Sequence, residues 1–134
     1  MWSDRVSAQH HTVDDTPAPW ETIAELGHVL FQQNPGKSLW INVPCRAREN
    51  YMTGLATFLR DALPAGLKLR VEFCNETWNW SFQSTHDLKD EAAARYPEMN
   101  PYDAHRVYMV ELNRMLSTVF RTILGASRVD ITFG

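Results

Sequence analysis

Leu67-Lys68-Leu69-Arg70-Val71-Glu72-Phe73-Cys74, running straight into Asn75-Glu76-Thr77-Trp78-Asn79-Trp80-Ser81-Phe82, is the stretch whose reading decides the fold. Its odd positions are apolar from Leu67 to Phe73, the period of a strand with one face in a core. Pro64-Ala65-Gly66 stands before it and closes a helix whose Tyr51, Met52, Leu55, Ala56, Leu59 and Leu63 fall on one face. Upstream again, Ser38 to Pro44 is a short apolar run with β-branched and aromatic members, ended by proline. Trp20, Ile23, Ala24, Gly27, Leu30 and Phe31 recur at helical spacing, with Thr16-Pro17 reading as cap and first-turn proline and Asn34-Pro35-Gly36 as the stop. Residues 1–16 are polar, without periodicity, and read as loop.

Downstream, a weaker helix is expected from His86 to Arg95, ending before Pro97. Asn100-Pro101 opens the longest one, with Val107/Tyr108, Leu112, Met115/Leu116, Val119/Phe120 and Ile123 in register and Gly125 as terminator. Val129 to Phe133 alternates like a strand. Short strands alternating with amphipathic helices predict βαβ units, a parallel sheet and the α/β class. No internal repeat or linker divides the chain, so residues 1–134 read as one domain or part of one. Three strands cannot close a barrel, which takes about 250 residues when complete.

Composition removes several function classes. Of 134 residues, 44% are hydrophobic and 22% charged, ordinary for a globular domain with a core. A net charge of −3 with scattered Lys and Arg offers no basic field, so no nucleic-acid partner is expected. No apolar run approaches the roughly 20 residues of a membrane span, and no membrane partner is expected. Met1-Trp2-Ser3-Asp4-Arg5 lacks the apolar segment of a secretory signal, which leaves the compartment unknown because a longer parent could carry one upstream. Cys45 and Cys74 are too few for a disulfide framework and read as buried free thiols, although their strand ends are expected side by side. His10-His11, His86 and His105 lack metal-ligand spacing, and neither metal nor cofactor is expected. Asn75-Glu76-Thr77 and Asn79-Trp80-Ser81 match the glycan acceptor pattern, but a pattern this short arises readily by chance, and a glycan on Asn75 would block the strand end.

Functional groups of parallel α/β folds gather at the carboxyl ends of strands. That rule singles out Asn75-Glu76, because only there does an ionisable group stand among aromatic residues. A carboxylic acid in that place can protonate a leaving glycosidic oxygen and then activate water, while a second carboxylate about 5 Å away attacks the anomeric carbon. Asn75 can hold a sugar hydroxyl, and Trp78, Trp80 and Phe82 can offer flat faces to pyranose rings and exclude water from Glu76. On the residues alone a plainer reading stands beside this one. A Glu after a strand is as a rule a solvated surface residue, and tryptophans in a loop often plug the underside of a helix.

The stretch from Val71 to Phe82 resembles the acid/base strand of the clan of (β/α)8 (TIM) barrel retaining glycoside hydrolases, in which Asn-Glu closes the fourth strand. More narrowly it is similar to bacterial cellulase-like or cellulose-binding proteins of that fold, with a motif near V-E-Y-S-N-E-V-W-N. Trp2-Ser3-Asp4-Arg5, Pro19-Trp20-Glu21, Leu39 to Pro44 and Asn50-Tyr51 follow in the order of that group, so the resemblance covers nearly the whole chain. It implies a partial TIM barrel covering about strands 3 to 5, with Glu76 as catalytic acid/base and Asn75, Trp78 and Trp80 as substrate-binding residues. It also implies a β-linked polysaccharide or oligosaccharide as partner. Cys45 departs from an expected histidine or polar residue and Thr77 from valine. The family nucleophile lies on the seventh strand, so this chain alone is expected to be inactive. The alternative is a non-catalytic carbohydrate-binding protein on the same fold; a third reading makes Asn75-Glu76 structural in an unrelated α/β module. Strand edges left open at 38–44 and 128–133 predict poor solubility or self-association.

Overall fold

The computed structural model describes residues 1–4 and 18–133. The stretch 5–17, including the expected Thr16-Pro17 cap, lies outside the described residues. A 3-10 turn at Trp2–Asp4 is followed by α1 (Trp20–Gln33), β1 (Ser38–Val43), α2 (Glu49–Ala62), β2 (Lys68–Phe73), α3 (Gln83–Arg95), α4 (Pro101–Leu124), a 3-10 turn at Ala126–Arg128 and β3 (Val129–Thr132).

The strands pair in sequence order β1-β2-β3, and both pairings are parallel. The register sets Leu39 beside Leu69 and Val129, Ile41 beside Val71 and Ile131, and Val43 beside Phe73. Those side chains enter one core with Met52, Leu55 and Leu59 of α2 and Leu112, Leu116 and Phe120 of α4. Helix α1 joins the same side, since a Cβ on Gly27 would run into Leu63, Leu67 and Leu39. The helices therefore cover one face of the sheet. The opposite face carries Trp40 and Asn42 of β1, Arg70 and Glu72 of β2, and Asp130 and Thr132 of β3, none of them in that core. A doubly wound sheet reverses its strand order and carries helices on both faces; this one does neither among the described residues.

Local chemistry explains the boundaries. Asn100 caps α4, its side-chain oxygen accepting from the backbone N–H of Tyr102 and Asp103 at 3.1 Å each, with Pro101 in the first turn. Gly125 ends that helix at φ 93°, a left-handed conformation that suits glycine. Two expected starts are corrected. Helix α1 begins at Trp20 behind Pro19, whose carbonyl receives the N–H of Ile23. Helix α3 begins at Gln83, three residues before His86, because the Asn79 carbonyl takes both the N–H of Phe82 and the hydroxyl of Thr85 and winds the chain early. The polar run Gln83-Ser84-Thr85 conceals that turn from a search for apolar periodicity.

At the amino-terminal end of the sheet, Arg128 donates to the carbonyls of Leu63 (3.3 Å), Pro64 (2.9 Å) and Leu67 (3.0 Å). One guanidinium thus closes the α2–β2 turn against β3. Against α2, Trp2 packs edge-on to Tyr51 and beside Phe58, and lies so close to Gly54 that any Cβ there would displace it.

Candidate active site at the carboxyl rim of the sheet

Strand β2 stops at Phe73, and the next three residues form the rim. Cys74 and Glu76 both have left-handed backbones, φ 57° and 49°, which non-glycine residues rarely adopt and which cost of order 1–3 kcal/mol each. Neighbouring bonds hold them there. Cys74 N–H donates to Val43 O across to β1 at 2.8 Å, and Asn79 N–H donates to Glu76 O at 2.8 Å. Asn79 also donates through Nδ2 to Glu76 Oε2 at 2.9 Å, while its own Oδ1 accepts from Ser81 N–H at 3.0 Å. Asn79 is thus a positioning residue for Glu76.

Glu76 is half-buried and stands at the carboxyl end of the parallel sheet, as its sequence position implied. Its carboxyl group is engaged by an amide and, among the described residues, by no arginine. Asn75 is exposed, and its Oδ1 accepts from Asn42 Nδ2 on β1 at 3.0 Å. That bond ties the rim to the uncovered face of the sheet.

The structure distributes three of the four expected site residues over two cavities, and Glu76 is in the lining of neither. Asn75 lines one of about 500 Å³ together with Trp20, Trp40, Asn42, Tyr51 and Glu72. Trp78 and Trp80 line another of about 470 Å³ with Thr77, Tyr102, His105, Arg106 and Met109. Trp78 is 61% exposed and free to meet a ligand. Trp80 is more committed, in ring contact with His86, Tyr102 and His105 and lying 5.3 Å from Lys89 Nζ. Burial, followed by Lys89, pushes His105 below its ordinary value, so the fold favours the neutral imidazole.

Sequence reasoning passed over Trp40, Asn42, Glu72 and Asn79. Glu72 is the most informative of these. It lies on the face without helices, yet only 6% of it is exposed, and Trp40 Nε1 donates to its Oε2 at 3.2 Å. The signal was present in the alternation of β2: counting the apolar partners Leu69, Val71 and Phe73 left the other three, Lys68, Arg70 and Glu72, unread.

Charged side chains fix the surrounding loop. Arg48 donates to the carbonyls of Cys45 (3.0 Å) and Ala47 (2.8 Å) and pairs with Glu91, which also accepts from Tyr108 OH at 2.9 Å. Burial, reinforced by that bond to Glu91, raises the Tyr108 phenol above its ordinary value. Arg46 reaches Asp87 at 3.0 Å, and the Gln83 amide and Arg46 together hold Asp87 below the usual carboxylate range. Cys45 and Cys74 are both free thiols, and burial raises the Cys74 thiol. Among the described residues no cluster of His, Cys, Asp and Glu is suited to a metal, and no helix is long and apolar enough to cross a membrane.

No protein-family model, curated protein or solved structure matches the chain.

Proposed function

We propose that the chain is part of a (β/α)8 barrel of glycoside-hydrolase type, acting on β-linked oligosaccharide or polysaccharide by a retaining mechanism with Glu76 as acid/base. The observation that carries this reading is the place of Asn75-Glu76. They lie on the carboxyl rim of a parallel sheet wound in sequence order, beside a face that carries no helix among the described residues and presents Trp40, Asn42 and Glu72. Strands in consecutive order with all helices outside are the winding of a barrel, whose open face becomes its interior.

In this reading Glu76 delivers its proton to the leaving oxygen and later removes one from water. Asn79 keeps the carboxyl group aimed, and Asn42 holds the Asn75 side chain beside the neighbouring strand. The second carboxylate comes from another strand of the barrel, as the retaining mechanism requires. The second reading, a non-catalytic carbohydrate-binding protein on the same fold, draws on the half-exposed faces of Trp40 and Trp78 and needs no second carboxylate.

The test compares a completed barrel containing this chain with its Glu76→Gln variant, on an unactivated β-glycoside. Loss of hydrolysis by about 10²–10⁴-fold with sugar binding retained supports the acid/base role. Unchanged hydrolysis removes it, and binding without hydrolysis in the unsubstituted protein favours the second reading.

A further inference from the structure

We propose that the cavity over the open face of the sheet is a subsite for a cationic amino sugar, with Glu72 pairing its ammonium group. This rests on the carbohydrate reading above and names the sugar class for that site.

Three observations meet here. The first is Glu72 itself, nine-tenths buried, whose side chain has one hydrogen-bonding partner among the described residues, the indole N–H of Trp40 at 3.2 Å. A carboxyl group offers about four acceptor positions, so most of its capacity in this cavity is left for a ligand. The second is the wall. Trp20, Trp40 and Tyr51 surround the space, and Trp20 Nε1 donates to Tyr51 OH at 2.8 Å, which fixes two of the three rings. Aromatic faces beside a carboxyl group are the surroundings that attract an ammonium ion, and they also accept the apolar face of a pyranose.

The third observation is the sign of the charge. Among the described residues no Lys, Arg or His lines the cavity. Lys68 and Arg70 share the face but lie towards the amino end of β2 and point out to solvent. An anionic sugar would be buried there without a counterion, which is costly, whereas an ammonium group balances Glu72. Asn42 and Asn75 spend one donor and one acceptor on each other and keep Asn42 Oδ1 and the Asn75 amide hydrogens for sugar hydroxyls. The second cavity has the opposite polarity, with Arg106 and no carboxylate in its lining.

The experiment measures binding to the full chain by tryptophan fluorescence and calorimetry, at a pH where the sugar amine is protonated. The probes are the β-1,4-linked disaccharide of glucosamine and that of glucose, which differ by amine against hydroxyl. The amino sugar is expected to bind about tenfold more tightly or better, a preference that Glu72→Gln abolishes. That substitution is isosteric and keeps an acceptor for Trp40. Asn42→Ala should weaken both sugars without changing their ratio, as a control that Glu72 alone sets the choice. Equal binding of the two disaccharides, or a preference that survives Glu72→Gln, overturns this inference and leaves the carbohydrate reading in place. Failure of both sugars to bind overturns the inference and the carbohydrate reading together.

Discussion

The two faces of the sheet obey different rules. The covered face is built from Leu39, Ile41, Val43, Leu69, Val71, Phe73 and Val129, each buried against helices that the sequence also supplies. Its content is interchangeable bulk, and its stability follows the apolar area removed from water. The open face carries Trp40, Asn42, Arg70, Glu72, Asp130 and Thr132, a set with little to gain from burial. Trp40 is 54% exposed there, while Glu72 beside it is almost wholly enclosed. One face holds the fold; the other carries polar and aromatic side chains outside that core, and Asn75-Glu76 stand at its carboxyl rim.

The sharpest way to break that comparison is to truncate one large residue on each face. Phe73→Ala should cost about 3–5 kcal/mol in urea unfolding, from lost transfer energy and the cavity it leaves. Trp40→Ala should cost less, about 1–3 kcal/mol, from the buried Glu72 carboxyl it leaves without its indole donor, while removing sugar binding. Similar losses from both would show that the open face is also part of the core.

Asn79→Ala tests the rim. It removes the amide that holds Glu76 and a side-chain acceptor for Ser81, and should cost about 1–3 kcal/mol by the same denaturation measurement. In a completed barrel it should also lower hydrolysis by less than Glu76→Gln does. No effect on either would remove Asn79 as a positioning residue.

A smaller effect concerns pH. His105 has a folded-state value below the unfolded 6.5, so the unfolded chain binds the proton more readily. Its contribution to stability is present above that unfolded value and declines as pH falls through it. Denaturant midpoints for the native chain should therefore drop between neutral and mildly acidic pH, and drop less in His105→Gln. A parallel decline in both would assign the pH dependence to other groups.

The smallest effect is chemical. Burial raises the Cys74 thiol and holds it in the core, while Cys45 is only half-buried, so iodoacetamide should label Cys45 first in the folded protein. Faster labelling of Cys74 would mean that the rim opens in solution.

Much of the covered face was legible because it is periodic: Leu67 to Phe73 alternates with period two, and the faces of α2 and α4 recur at helical spacing. The ends of α4 could be read from Asn100, Pro101 and Gly125, whose effects are local. The start of α3 could not, since it depends on hydrogen bonds gathered by Asn79. Asn75 and Glu76 were singled out because strand ends are where side chains escape the ladder, and the left-handed backbone on either side of Asn75 was beyond sequence to foresee.

Sequence alone determined which residues seek a core and in what order strands and helices follow, because those properties belong to short windows. Only the tertiary structure decided that Trp40, Asn42, Glu72 and Asn75 share one cavity while Trp78 and Trp80 line another. Residues about 30 positions apart meet through strand register, as Asn42 does with Asn75, and register is a property of the paired sheet that no single strand carries.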